Sequence, residues 1–172
     1  MVHEVVFLGN NGSVEPPSQD RSGFELPLLL VAAFRALVDA LHVELARRGH
    51  PGARPLHGFA LQALGNDGAS LSELGRRLGV SKQAAAKTAE GLQRLDYVRR
   101  EIDPADARAV RLRRSPLGEE LLELSSEIFA RLRADWVAAL GGERLRMLED
   151  DLERLAADHG GAKLGDLPGW LR

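Results

Sequence analysis

The sequence predicts a mainly α-helical chain with one small β-hairpin. Three observations carry that reading. Several Leu- and Ala-rich segments repeat their apolar residues at close to the 3.6-residue helical period. Gly, Pro, Ser and Asn fall at the ends of those segments, where caps and turns need them. One stretch alone, 97–113, alternates in the manner of paired strands. Aromatic residues make up only 5% of the chain, so the core must be built from aliphatic side chains.

Residues 1–25 read as an N-terminal arm, because Asn10, Asn11, Gly12, Pro16 and Pro17 interrupt any regular element. From 26 to 48, Leu30, Phe34, Leu37, Val38, Leu41 and Leu45 mark one face of a helix that Gly49 ends. A Pro/Gly loop, 50–55, leads to a short helix over 56–64 and the turn Gly65-Asn66-Asp67-Gly68. Ser70 and Glu73 have the spacing of a capping box for a helix over 71–78, which presents Leu71, Leu74 and Leu78 on one side. Gly79 breaks it, and Ser81 caps the next helix, whose inner face is Ala85, Ala89, Leu92 and Leu95. Strands over 97–102 and 109–113 flank the turn Asp103-Pro104-Ala105-Asp106. Ser115 and Pro116 then start a long helix to about 140, Gly141-Gly142 ends it, and 144–157 is a last helix. Residues 160–172 read as a tail.

Composition narrows the function. The chain of 172 residues has no cysteine, which excludes disulfides and thiolate metal sites. No signal peptide is legible, and no apolar run is expected to approach the roughly 20 residues a membrane span needs, so a cytoplasmic protein without membrane contact is the expectation. Phosphate-binding glycine motifs, nucleophile elbows and paired metal-ligand histidines are absent, so no enzyme, metal site or cofactor is expected. His42 and Glu44 do not share a helix face.

The net charge of −2 conceals an asymmetry. Between Ser70 and Ser115 there are eleven basic and six acidic residues, an excess of five positive charges, and the remainder of the chain is acidic. Charge alone leaves a polyanion-binding module and a solvated Arg-rich surface equally open. The order of elements favours the module. Two short helices joined by a glycine turn, followed by a two-stranded ribbon, form a winged helix-turn-helix. The second helix of such a unit enters the major groove of DNA. Its outward residues are Ser81, Lys82, Gln83, Ala86, Lys87 and Glu90. Gln suits an adenine edge, Lys a guanine or a phosphate, and Ala the thymine methyl. Arg99, Arg100, Arg108, Arg111 and Arg113 surround the hairpin and suit phosphates and a narrow minor groove.

Three runs resemble the MarR family of regulators: Leu71-Ser72-Glu73-Leu74-Gly75-Arg76-Arg77-Leu78-Gly79-Val80-Ser81, Leu92-Gln93-Arg94-Leu95-Asp96-Tyr97-Val98-Arg99-Arg100, and Asp103-Pro104-Ala105-Asp106-Ala107-Arg108-Ala109-Val110 with Ser115-Pro116-Leu117-Gly118 after it. The resemblance implies a homodimer on double-stranded DNA, with a lobe at 56–115 and dimerisation helices at 26–55 and 116–159. It implies that Asp106 holds an arginine and that Arg108 enters the minor groove, with Ser81, Gln83 and Lys87 as recognition contacts. It also implies a small aromatic ligand between arms and lobe. Phe34, Leu37, His42, His57 and Phe59 fit as lining, and fit equally as plain core. Two positions depart from the pattern: Ala107 replaces the usual second arginine of the wing tip, and Arg114 replaces the usual aliphatic residue before the helix cap. The departures keep open an alternative, a winged-helix dimer acting as a protein-interaction or antirepressor module without DNA binding.

Overall fold

A computed structural model describes residues 23–103 and 106–158, with the side chains of 106, 107 and 156–158 outside the description. Most of the arm at 1–25, the tail at 160–172 and the turn residues Pro104 and Ala105 therefore lie outside the described residues. The chain divides into two compact units, 1–34 and 35–172.

The order of elements is α1 (Glu25–Arg47), α2 (Pro55–Leu64), α3 (Leu71–Arg77), α4 (Lys82–Arg94), β1 (Val98–Asp103), β2 (Asp106–Arg114), α5 (Pro116–Leu140) and α6 (Gly142–Asp158). The mainly α architecture with a β wing is as the sequence predicts. The strands run further toward the turn than their alternation suggests, and α2 takes Pro55 into its first turn.

Three helices end in the same device. After α3, Gly79 adopts φ +63 and its N–H bonds Arg76 O, while Val80 N–H bonds Gly75 O at 2.8 Å. This left-handed turn closes the last carbonyls of α3 and swings the chain into α4. Asp96 does the same after α4 at φ 57, with Tyr97 N–H on Leu92 O, so α4 passes directly into β1. Gly49 ends α1 likewise, with His50 N–H on Leu45 O.

The starts are capped by side chains. Ser70 Oγ accepts from Glu73 N–H while Glu73 Oε2 accepts from Ser70 N–H at 2.8 Å, the reciprocal box the spacing predicts. The Ser70 N–H and hydroxyl, with Arg111 and Arg77 nearby, hold the Glu73 carboxyl below its ordinary range. Ser81 Oγ accepts from Ala84 N–H, and Ser115 Oγ from Gly118 N–H.

The core of the second unit gathers Leu61 and Leu64 of α2, Leu74 and Leu78 from the α3 region, Leu92 of α4, Leu112 of β2, and Leu121 and Ile128 of α5. All are almost wholly buried. β1 and β2 pair antiparallel, and Ala69, just before α3, bridges Leu112 through two backbone bonds of 3.0 and 2.8 Å. The wing is thereby tied to the chain entering the helix-turn-helix. That join requires glycine at 68, whose φ is +72: a Cβ there would lie 2.3 Å from Leu112 O. A second close approach occurs at Gly118, where a Cβ would lie 2.1 Å from Tyr97 O.

Buried His50 shares a hydrogen bond of 3.1 Å with the Tyr97 hydroxyl and lies 3.8 Å from a Glu120 carboxylate oxygen. This cluster links the loop after α1, the start of the wing and α5.

One helix is more apolar than the residue-by-residue pattern suggests. α1 has an apolar window long enough, by length and composition, to match a membrane span. Arg35 and Asp39 interrupt the run while leaving its mean hydropathy high.

Candidate nucleic-acid interface

α4 presents two different faces. Ala85, Ala89 and Leu92 are buried, and Ser81, Lys82, Gln83, Lys87 and Glu90 are exposed, with Ala86 half-buried among them. Small inner residues let α4 lie close against α3: a Cβ at Gly75 would lie 3.0 Å from Val80 O and 3.5 Å from the Ala85 methyl. Among the described residues, no hydrogen bond or ion pair engages Lys82, Gln83 or Lys87. The outward face therefore keeps its donors and acceptors available. Ser81 spends its hydroxyl oxygen on the cap, so its part is first to fix the start of α4.

The wing arginines are not equivalent. Glu101 binds both Arg99 at 2.7 Å and Arg113 at 3.0 Å. Arg100, exposed, donates to the Gln93 side chain of α4 at 3.1 Å. Arg108 is exposed near the tip.

Arg111 is built into the fold. Its side chain, 22% exposed, donates to Asp103 Oδ2 at 3.1 Å and to Gly68 O at 2.9 Å, and lies 3.9 Å from Glu73. Sequence reading placed Arg111 among the DNA contacts; here it joins the wing to the turn before α3. Asp103 is the carboxylate that holds it. The side chain of Asp106, to which the resemblance gives a holding role, lies outside the description.

Arg114 is likewise absorbed. It donates to Gly65 O at 3.2 Å and to the Asn66 side chain, and pairs with Glu119 at 3.2 Å. The departure from an aliphatic residue is thus accommodated by the loop after α2. Arg77 caps the same helix end, donating to Ala63 O at 2.7 Å and Leu64 O at 3.2 Å. Sequence reasoning missed these links because each joins residues far apart in the chain.

A cavity of about 880 Å³ lies behind α4, between that helix and the start of α2. Apolar walls from Leu78, Val80 and Leu95 meet the cationic residues Arg54, Lys87 and Arg94. Of the five residues considered as ligand lining, His57 alone lines this cavity. Leu37, His42 and Phe59 are half-buried elsewhere in the second unit, and Phe34 belongs to the first unit. Burial lowers the pKa of His57, with Arg54 and His42 adding to the effect. Its Nδ1 accepts from Arg54 N–H at 3.2 Å. Among the described residues, no group of three or more His, Asp or Glu could hold a metal ion.

A capped helix-turn-helix with an exposed second helix and a two-stranded wing defines the class: this is a winged helix-turn-helix protein. Residues 54–109 match the model of the MarR family, the family that the sequence motifs resemble. Similar solved structures cover more of the chain. A MarR family protein from Bacillus stearothermophilus aligns with a TM-score of 0.63 at 22% identity, covering 80% of this chain and 95% of that one. FabT of Streptococcus pneumoniae, in complex with DNA, aligns with a TM-score of 0.67 at 15% identity, covering 80% and 96%. The PcaV transcriptional regulator of Streptomyces coelicolor, in complex with its natural ligand, aligns with a TM-score of 0.59 at 21% identity, covering 87% and 99%. No curated protein matches the chain.

Proposed function

We propose that this chain is a sequence-specific regulator of transcription that binds double-stranded DNA as a homodimer. The observation that carries this reading is the outward face of α4, where Lys82, Gln83 and Lys87 stand exposed and unengaged beside a wing that bears exposed Arg100 and Arg108. FabT, which shares the fold, was solved in complex with DNA, and this supports a DNA partner here. Gln83 and Lys87 read base edges, Ala86 admits a thymine methyl, and Lys82 and Arg100 hold phosphates. Arg108 enters the minor groove. Arg99 contributes more weakly because Glu101 offsets its charge. Repression by covering a promoter is the mode we favour.

Dimerisation follows from surface left uncovered. Met147, Leu148, Leu152 and Leu155 of α6 are between 40 and 54% exposed, as are most apolar residues at the start of α1. A second copy of the chain is the commonest way to cover such faces. It would place two α4 helices about 34 Å apart on one side of the duplex.

The cavity behind α4 supports release by a small aromatic acid: apolar walls hold the ring and Arg54, Lys87 or Arg94 its carboxylate. Lys87 would be drawn from DNA to ligand, so the two states compete.

The reading is tested by selecting duplexes from a random pool with the full chain. It predicts enrichment of a pseudo-palindrome with half-sites about ten base pairs apart. A pool that stays unenriched contradicts it and favours the protein-interaction reading.

A further inference from the structure

The two faces of the wing differ in a way that the arginines alone do not explain. Antiparallel partners point to the same side of a ribbon, and successive pairs alternate sides. The pairs Arg99 with Arg113 and Glu101 with Arg111 therefore share one face. On that face every cation named has a carboxylate: Glu101 holds Arg99 and Arg113, and Asp103 holds Arg111. The other face carries Val98 with Arg114, Arg100 with Leu112, and Ile102 with Val110.

This second face is the one turned toward α4, because Arg100 bonds Gln93 of that helix. Its apolar stripe begins in the core, where Val98 and Leu112 are buried, and continues outward past the end of the core. The last pair, Ile102 and Val110, is 67% and 50% exposed. Both are β-branched, so they stabilise the hairpin by pairing, but that role needs no apolar surface: threonine pairs across strands as well. Arg100 precedes them on this face, and exposed Arg108 lies two residues from Val110 toward the tip.

We infer that Ile102 and Val110 pack against the deoxyribose wall of the DNA backbone that runs between α4 and the wing. The inference rests on the DNA-binding reading above and adds a sequence-independent contact to it. Placing α4 in the major groove and the wing tip in the adjacent minor groove leaves one sugar–phosphate strand between them. The wing face toward α4 must meet that strand. Phosphates point to the cations at its edges, and the sugar C–H surface meets the apolar pair. Burying this pair excludes water without neutralising a phosphate, so its contribution does not depend on released counterions.

The test is the double variant Ile102→Thr/Val110→Thr in the full chain, which keeps β-branching and removes the apolar surface. Binding is followed by anisotropy on a mixed-sequence duplex and on a selected duplex, across a salt series, with thermal melting and sedimentation alongside. The inference predicts about a tenfold or greater loss of affinity on both duplexes, with the slope of log K against log salt unchanged. Ile102→Val, which retains apolar surface, keeps most of the affinity. Unchanged affinity in the folded double variant overturns the inference and assigns the pair to a protein partner. A shallower salt slope overturns it too, since that would report lost phosphate contacts, and so does an altered oligomeric state. If the double variant melts early, the single variant Ile102→Thr is read by the same criteria. Failure of the unmodified chain to bind either duplex removes the underlying reading as well as this one.

Discussion

At the proposed interface, single residues are expected to act through neighbours as well as through DNA. Arg111 is the clearest case: its Nη1 and Nη2 bond Asp103 and Gly68 O, so its replacement should disturb the wing before it disturbs any contact with phosphate. Arg111→Ala is expected to weaken DNA binding while leaving the salt slope unchanged, whereas Arg108→Ala lowers affinity on all sequences and reduces the slope by about 1. Equal slope changes in the two variants would contradict the assignment. Gln83→Ala and Lys87→Ala should instead relax preference at particular base pairs. Gly118 illustrates a constraint of space alone. Alanine there places Cβ 2.1 Å from a backbone oxygen, and the strain is expected to cost roughly 1–3 kcal/mol, read as a lower denaturation midpoint.

The histidines bring pH into the same scale. Burial lowers the pKa of His57, with further lowering by Arg54 and His42; burial also lowers that of His42, partly opposed by Asp39. In the unfolded chain both titrate near about 6.5, so there the unfolded state binds more protons than the folded one. Stability is then complete above about pH 6.5 and declines as pH falls through the lower folded values. Melting temperature should be level above neutrality and drop on acidification. The double variant His42→Gln/His57→Gln should flatten that decline; an unaltered decline would place its origin elsewhere.

At the scale of elements, much of the chain was legible beforehand because its signals are local. Ser70 with Glu73, Ser81, Ser115 with Pro116, and the glycines 49 and 79 each mark a helix end through bonds to residues within a turn. The cap of α4 matters most, since it sets where the recognition face begins. Ser81→Ala is expected to cost about 1 kcal/mol and to reduce affinity, measured by chemical denaturation and titration. What sequence could not resolve is long-range. Arg111 meets a carbonyl 43 positions away and Arg114 one 49 positions away. From sequence Arg111 looks like a free cation on a hairpin and Arg114 like a departure before a helix cap, and only the folded contacts show that both fasten the wing. The cavity behind α4 is lined by the start of α2 and the length of α4 from Ala84 to Arg94, and shares only His57 with the residues that the sequence suggested for a ligand. The apolar character of α1 was also underestimated, because two charges mask it in a residue-by-residue reading.

At the scale of the molecule, the proposed second copy would cover the exposed apolar residues of α1 and α6, and two-fold symmetry would give the two α4 helices their spacing. Leu148→Glu/Leu152→Glu should yield a monomer by sedimentation, with loss of high-affinity DNA binding because only one half-site can then be held. A double variant that remains dimeric would contradict the use of α6 as an interface. The charge distribution agrees with this division: the basic excess lies in 70–115, while the remaining chain is acidic and is suited to pairing with itself only through apolar contact.

The central claim is that this cationic winged-helix surface binds the DNA backbone. Its most direct test is a salt titration of the unmodified chain on a selected duplex. The account predicts that log K falls linearly with log salt, with a slope of about −0.9 for each phosphate neutralised and therefore steeper than about −4 for a dimer using two wings and two helices. Absence of binding, or an affinity indifferent to salt, would contradict it.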